Sequence, residues 1–398
     1  MNTRFDQQDE AFRREIAGWL EENLRGEFAV LRGRGGPGDE AARIEERRAW
    51  ERHLGRAGWT CVGWPVEHGG RGVSLARQMI FHEEYARAQA PGRLGHIGEG
   101  LLGPTLIAFG SDAQKRRFLP PIQRGDELWC QGYSEPGAGS DLAAVQTRAE
   151  LRGREWIVSG QKVWTSGAAW ADWCFVLCRT DPDPRSRHRG LSYLLVPMHQ
   201  DRVEVRPIRQ ITGDSEFSEV FFAEARTAAE NLVGEVNGGW KVATGTLAFE
   251  RGTSTLGQQM LFENELHRII EAARGNGRAE DPIFRQRIAD AWIGLRLQRF
   301  IALRTLSDSG RAELGPAAMI SKLFWSSWHR DLGKLAMDVL GPEAEILEGE
   351  PYRLGALQRL FLFSRADTIY AGTSEIQRNL IAERALGLPR EPRPGPSA

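Results

Sequence analysis

The strongest constraint in this chain is a change of texture. Over residues 128–222, short runs rich in aromatic and β-branched residues alternate with turns, and no helical period intervenes. Residues 145–151 and 155–159, parted by Arg152-Gly153, read as a hairpin. Residues 173–178, 191–196, 203–205 and 220–222 are further strand candidates. Several short strands in succession close into a barrel or sandwich. Both flanks read as helix. Phe12, Ile16, Trp19 and Leu20 keep helical spacing after Asp6, and a charged helix spans about 40–56. Residues 75–88 and 101–109 follow, then a helix capped by Ser111 and stopped at Pro120-Pro121. Beyond Gly238-Gly239, long periodic segments cover 240–273, 282–307, 316–340 and 373–385. Four helices with short connections predict a bundle. The expected fold is α+β and multidomain: an N-terminal helical domain (1–125), a central β-barrel domain (126–235) and a C-terminal four-helix bundle (236–398).

Bulk composition narrows the function. At 398 residues the chain has room for two to three domains and a large core. Lys and Arg total 52 and Asp and Glu 53, so neither nucleic acid nor an anionic membrane surface is expected as the main partner. The four cysteines form no C-x-x-C pair, and Cys174 and Cys178 in WCFVLC read as buried thiols. The eight histidines are scattered, so no metal is expected. A polar, charged N-terminus and no run of 18 apolar residues make the cytoplasm the expected compartment. The 45 glycines exceed the usual ~7% and call for tight turns or close backbone approaches.

Two motifs mislead. Residues 33–38 (GRGGPG) fit G-x-G-x-x-G, but they lie between polar helices and contain proline, so they read as a surface loop and not a dinucleotide site. Gly132-Tyr133-Ser134 starts like a nucleophile elbow, yet Pro136 stands where glycine is required.

The stretch WCQGYSEPGAGSD (129–141) is more specific: a strand enters a glycine-rich loop with hydroxyls at Ser134 and Ser140. Open backbone N–H groups there suit a phosphate or a ring's polar edge. Further on, Lys162-Val163-Trp164-Thr165-Ser166-Gly167 sets an indole beside two hydroxyls, which suits a flat heterocycle. The same residues also fit two ordinary β-domain turns.

S-E-P-G-A-G-S-D, then G-x-K-x-W-T-S, then Ile369-Tyr370-Ala371-Gly372-Thr373-Ser374-Glu375-Ile376-Gln377-Arg378 together resemble the acyl-CoA dehydrogenase family. The resemblance implies FAD as cofactor and α,β-dehydrogenation of an acyl-CoA to the trans-2-enoyl-CoA. It implies an electron-transfer flavoprotein as acceptor. By position, Ser134 and the backbone around Tyr133 meet the flavin ring. Ser140 lies near the ribityl-pyrophosphate or CoA, Trp164 packs on the isoalloxazine, Ser166 bonds near N5, and Thr373 and Glu375 reach FAD. Gln131 and Gly139 count among the same contacts.

Abstracting an α-proton needs a carboxylate. Many members place it as Y-E-G-T, where this chain has Ala371. Glu250 is the replacement candidate. Ala243, Leu247, Glu250, Ser254, Gly257 and Leu261 fall on one helical stripe, otherwise small or apolar. A solvated Glu250-Arg251 pair at a helix end fits the same residues. Leu247-Ala248-Phe249-Glu250-Arg251 resembles the L-x-x-E-R context of the isovaleryl- and long-chain-type branch, which carries its base on this helix. That resemblance makes Glu250 the base, with Arg251 in the catalytic pair, and leaves the Ala371 N–H to polarise the thioester carbonyl.

Some segments depart from the family pattern. Where R-x-T-F-G is usual, residues 274–282 offer Arg278 or Arg274 without the threonine and phenylalanine. Residues 338–342 (DVLGP) stand for Q-x-x-G-G. These changes resemble members acting on branched or bulky acyl groups, such as steroid side-chain CoA esters, assembled as homotetramers or α2β2 heterotetramers. Competing readings are a same-fold flavin monooxygenase or oxidase, and a non-catalytic partner subunit.

Overall fold

A computed structural model describes residues 5–250, 258–307, 315–346, 348–349 and 352–390. The chain divides into two compact units, 9–254 and 255–398 together with the first eight residues.

The larger unit opens with α1 (Gln7–Asn23), α2 (Ile44–Arg56), α3 (Leu75–Arg87), α4 (Gly103–Phe109) and α5 (Asp112–Arg124). Phe12, Ile16 and Leu20 bury one face of α1, as their spacing requires. Arg13 ties α1 to α3 through Glu83 (3.1 Å) and Glu84 (2.6 Å). Helix α2 starts at Ile44, later than expected, because residues 40–43 form turns. Helix α5 begins with the expected Ser111 cap, a full capping box with Gln114, but runs through Pro120 and Pro121 to Arg124. Proline deletes a donor yet keeps a helical φ, and burial of Phe118, Leu119, Pro121 and Ile122 offsets the lost bonds. The helix stops at Gly125, which takes the left-handed cap.

Strands β1 (Trp129–Gly132), β2 (Arg148–Arg152), β3 (Glu155–Ser166), β4 (Trp173–Arg179), β5 (Leu191–Pro197), β6 (Val203–Pro207), β7 (Phe217–Ala228) and β8 (Leu232–Val233) form one sheet in the order β6-β7-β3-β2-β4-β5-β8, with β1 parallel to β4. The sheet curls on itself. Across its interior, Lys162 of β3 reaches the Leu177 carbonyl of β4, and Thr227 of β7 bonds the Leu195 carbonyl of β5. Inside lie Trp156, Val158, Cys174, Val176, Leu194, Val196, Val220 and Phe222. The four cysteines are buried and unbridged.

Helix α6 (Gly239–Glu250) packs on this unit. Gly239 is obligatory: a Cβ there would overlap the backbone of Ser192. Thr246 bonds Thr105 of α4 at 2.8 Å, and Gly245 accepts the ring of Phe109.

The second unit holds α7 (Gln258–Gly275), α8 (Pro282–Ser307) and α9 (Pro316–Leu340), then β9 (Glu348–Gly349), β10 (Tyr352–Arg353), α10 (Ala356–Ser364) and α11 (Ser374–Leu380). Helices α6 and α7 cover 239–250 and 258–275 of the expected helical run over 240–273, residues 251–257 between them lie outside the described residues, and α10 was not anticipated. Phe262, Leu266, Ile269 and Ala273 of α7 meet Leu295, Leu332, Leu335, Ala336, Val339 and Leu360 in the bundle core. Leu261, assigned from sequence to the stripe of Glu250, is instead exposed on α7. Ser254 and Gly257 of that stripe lie outside the described residues. Among the described residues, no helix is long and apolar enough to cross a membrane.

One packing contact offers a direct check. A Cβ at Gly103 would overlap the Trp64 ring, whereas at Gly100 nothing stands within 4 Å. Gly103→Ala is expected to lower stability by about 1–3 kcal/mol through overpacking, and Gly100→Ala by less than about 0.5 kcal/mol. Chemical denaturation with unchanged m-values checks both.

Candidate active site

The loop after β1 is built around a buried ion pair. Lys162 is fully buried, and its Nζ donates to Glu135 Oε1 (2.8 Å), the Tyr133 carbonyl (3.0 Å) and the Leu177 carbonyl (2.7 Å). Three acceptors satisfy the three N–H bonds of an ammonium. Glu135 also accepts from the amides of Gln146 (2.6 Å) and Thr147 (2.8 Å). Burial alone would push its carboxyl upward; the Lys162 charge and these bonds outweigh it and hold the carboxyl below its ordinary value. Burial likewise pulls Lys162 down, with Glu135 the main counterweight.

This pair fixes the glycine-rich loop. Glu135 and Ala138 exchange backbone bonds of 3.0 Å in each direction, and Val163 N–H bonds the Ser134 carbonyl at 2.9 Å. At Val163 and Trp164 the β3–β7 register slips, so β3 bulges toward Ser134. The bulge puts Trp164 at φ +59° and turns its indole outward, 59% exposed, with its edge on Phe217 at 6.2 Å. A large aromatic held outward in strained backbone is a ready stacking platform. Ser134 is half-buried beside it, Gln131 half-buried in β1, and Gly139 and Ser140 are exposed on the outer limb. No atom stands within 4 Å of a Cβ built at Gly137 or Gly139, so the limb is open to a ligand. Tyr133 contributes backbone only, because its ring is buried against Phe175 and Tyr193.

Ser166 closes this cluster, and its surroundings were not legible in the sequence. It stands beside Glu216, whose backbone carbonyl accepts from Gly167 N–H (3.1 Å) and whose carboxyl burial pushes up to about 7. Glu40 stands next to Glu216, raised to about 9 by burial first and by Glu216 second. Glu40 arrives from the glycine cluster at 33–38. That segment is no dinucleotide loop, but it is more than a surface loop. Gly35 and Gly38 are buried, and the guanidinium of Arg47 bonds the Gly35, Glu40, Ala42 and Gly92 carbonyls from within. Ala41 N–H bonds Asp214 (3.1 Å), which delivers Glu40 to the β7 edge.

In the second unit, the closing motif makes a tight turn. Ala371 is left-handed (φ +51°), as is Gly372 (φ +89°). Gln377, almost fully buried, donates to the Ala371 carbonyl at 3.0 Å. Among the described residues, nothing accepts from the Ala371 N–H. Thr373 caps α11 by accepting from Ile376, and Glu375 is exposed, its carboxyl held low by its own backbone and by Thr373. Arg278 lies in a separate turn, its guanidinium 4.7 Å from the Phe284 ring and close to Gly341. Glu250 is the last residue of α6; its side chain, and Arg251 altogether, fall outside the described residues.

Three family models match the chain in order: the acyl-CoA dehydrogenase N-terminal domain over residues 6–126, the middle domain over 130–225 and the C-terminal domain over 237–386. The chain belongs to the acyl-CoA dehydrogenase family. This dehydrogenase is therefore an oxidoreductase that uses FAD. It is 58% identical over 383 residues to acyl-CoA dehydrogenase IpdE1 of Mycobacterium tuberculosis, covering 96% of this chain and 98% of that one. It is 35% identical to acyl-CoA dehydrogenase FadE26 of the same organism, covering 85% and 86%. The solved Tcur3481-Tcur3483 steroid ACAD superposes with a TM-score of 0.86 at 30% identity, covering 98% of this chain and all of that one. The ChsE4-ChsE5 complex of Mycobacterium tuberculosis gives 0.82 at 31% identity, covering 98% of this chain and all of that one. The outward indole, the open glycine limb and the hydroxyls of Ser134 and Ser166 fit the flavin that the family binds.

Lys162→Met should leave Glu135 as an unpaired buried carboxylate, at a cost of about 3–5 kcal/mol. The dehydrogenase should then purify with little bound FAD, and adding Glu135→Gln should restore part of both losses. Flavin absorbance per protein and thermal melting of the two variants measure this. Full FAD content in Lys162→Met would contradict it.

Proposed function

We propose that this dehydrogenase oxidises the Cα–Cβ bond of a bulky acyl-CoA thioester, of the steroid-derived kind, to the trans-2-enoyl-CoA. Electrons pass to an electron-transfer flavoprotein. The observation that carries the reading is the turn at Ala371, which keeps a free-standing N–H where many members carry their catalytic glutamate. Likeness to a solved steroid ACAD supports the bulky substrate. We take the domain borders to lie near residues 125 and 235.

In this mechanism Glu250, at the end of α6, takes the α-proton, with Arg251 beside it. Helix α6 is rigidly seated by Gly239, Gly245 and Thr246, which fixes where its last residue stands. The Ala371 N–H donates to the thioester oxygen as enolate charge develops, and the Gln377 bond to the Ala371 carbonyl holds that amide in place. Trp164 would stack on the flavin, and Ser134, Ser166 and the backbone at Tyr133 would meet its polar edge. Gln131, Gly139 and Ser140 would line the limb toward its ribityl-pyrophosphate. Thr373 and Glu375 would also reach FAD, and Arg278 would reach the FAD of a neighbouring subunit. FAD, when bound, supplies the acceptor for the hydrogen that leaves Cβ.

Assembly is expected to be tetrameric, as four copies or as two copies with two of a homologous chain. Ile293, Leu297 and Phe300 are each about half exposed on one face of α8, an apolar stripe that favours association. The similar ChsE4-ChsE5 structure is a complex of two differently named chains, which supports the mixed arrangement.

Glu250→Gln should retain FAD and bind acyl-CoA, while anaerobic flavin bleaching slows about 10²–10⁴-fold, the usual contribution of a general base. Bleaching within tenfold of the parent enzyme would remove Glu250 from this role.

A further inference from the structure

The bundle contains a buried charged chain that the mechanism above does not use. His329, in the middle of α9, is 1% exposed. Its Nδ1 lies 2.6 Å from Asp367 Oδ2, and its Nε2 lies 2.7 Å from Glu265 Oε2 on α7. A neutral imidazole donates from one nitrogen only, so two carboxylate partners select the imidazolium. Burial opposes that charge. The two carboxylates outweigh it, Glu265 foremost, and raise His329 to about 9. Phe262 lies against the ring at a centroid distance of 4.2 Å and closes it off on one face.

The chain continues toward the closing motif. The second oxygen of Asp367 accepts from the Tyr370 hydroxyl at 2.7 Å. The Asp367 carbonyl accepts from Lys322, whose Nζ also lies 5.4 Å from the Tyr370 ring centroid. Tyr370 immediately precedes Ala371. Within the segment between α10 and α11, turn bonds run from Ile369 N–H (2.8 Å) and Tyr370 N–H (3.1 Å) to the Ala366 carbonyl and from Ser374 N–H to Thr368 (3.0 Å). Gln377 grips the turn from its far side. Glu265, His329, Asp367 and Tyr370 therefore wire two bundle helices to the residue before the amide.

We propose that the Glu265–His329–Asp367–Tyr370 chain is a positioning device that sets the aim of the Ala371 N–H. These are positioning residues: they act through the amide, and the inference rests on the reading of that amide as the thioester donor. A left-handed alanine is strained unless the surroundings fix it. The ion pairs supply that fixation upstream, where no regular secondary structure does.

The test uses the FAD-loaded enzyme with enoyl-CoA carrying a ¹³C-labelled thioester carbonyl, read by infrared difference spectroscopy. A carbonyl that accepts a well-aimed hydrogen bond absorbs at lower frequency than free enoyl-CoA. Tyr370→Phe removes one hydroxyl, and His329→Gln removes the charge. Both variants should keep FAD, bind enoyl-CoA within about threefold of the parent, lose at least half of the carbonyl shift, and reduce flavin at least tenfold more slowly. Glu250→Gln should slow reduction yet keep the full shift, because the base does not touch the carbonyl. Tyr370→Phe keeps the ring and the fold, so it remains decisive if His329→Gln does not accumulate. An unchanged carbonyl shift in a folded, FAD-loaded Tyr370→Phe enzyme would overturn the positioning role alone. No shift in the parent enzyme itself would overturn both this inference and the reading of Ala371 as the donor.

Discussion

The ion pair of Lys162 with Glu135 is the interaction from which the cofactor platform follows. Burying an ammonium and a carboxylate together is costly, and the cost is offset only where every hydrogen-bonding position finds a partner. Here the ammonium meets three oxygens, and the carboxylate adds two backbone amides. Those five bonds join β3, β4 and the loop after β1 at one point. The height of the glycine-rich loop follows from it, as does the bond between Val163 and Ser134. The bulge that rotates Trp164 outward follows next. A ring that would ordinarily be buried in a β-domain thus becomes a platform.

Backbone strain marks both halves of the proposed chemistry. Among the described residues, eight non-glycine residues have positive φ, and Trp164 and Ala371 are two of them. Each is the middle of a motif, and each costs energy that its neighbours must supply. At Trp164 the supply is the register slip beside the ion pair. At Ala371 it is Gln377 on one side and the His329–Asp367–Tyr370 chain on the other. The two halves belong to different units: Trp164 sits at a bulge inside β3, and Ala371 in the turn before α11.

What the sequence made legible was local. Periodicity located α8 and α9 to the residue, because long amphipathic segments bounded by proline and glycine leave little choice. Residue order alone located the three motifs. It failed where a competing effect was non-local. Burial carried α5 through two prolines. The partners that hold the site were illegible for the same reason. Lys162 and Glu135 are 27 positions apart, His329 and Asp367 38, and His329 and Glu265 64. Nothing in the spacing joins them before the sheet and bundle form. The glycine excess divides likewise: Gly239 and Gly245 seat α6, and the cluster at 33–38, which looked uninformative, delivers Glu40 to the side of Glu216.

The central proposal is the α,β-oxidation of a bulky acyl-CoA at the platform of Trp164. The most direct measurement is anaerobic mixing of the FAD-loaded enzyme with straight-chain, branched and steroid-derived acyl-CoA esters, followed by the flavin absorbance and by mass analysis of the thioester. The expected result is rapid bleaching by a bulky ester, with a product two hydrogens lighter, and slow or no bleaching by straight chains. Fastest bleaching by a straight chain, or no bleaching by any ester in the panel, would contradict it.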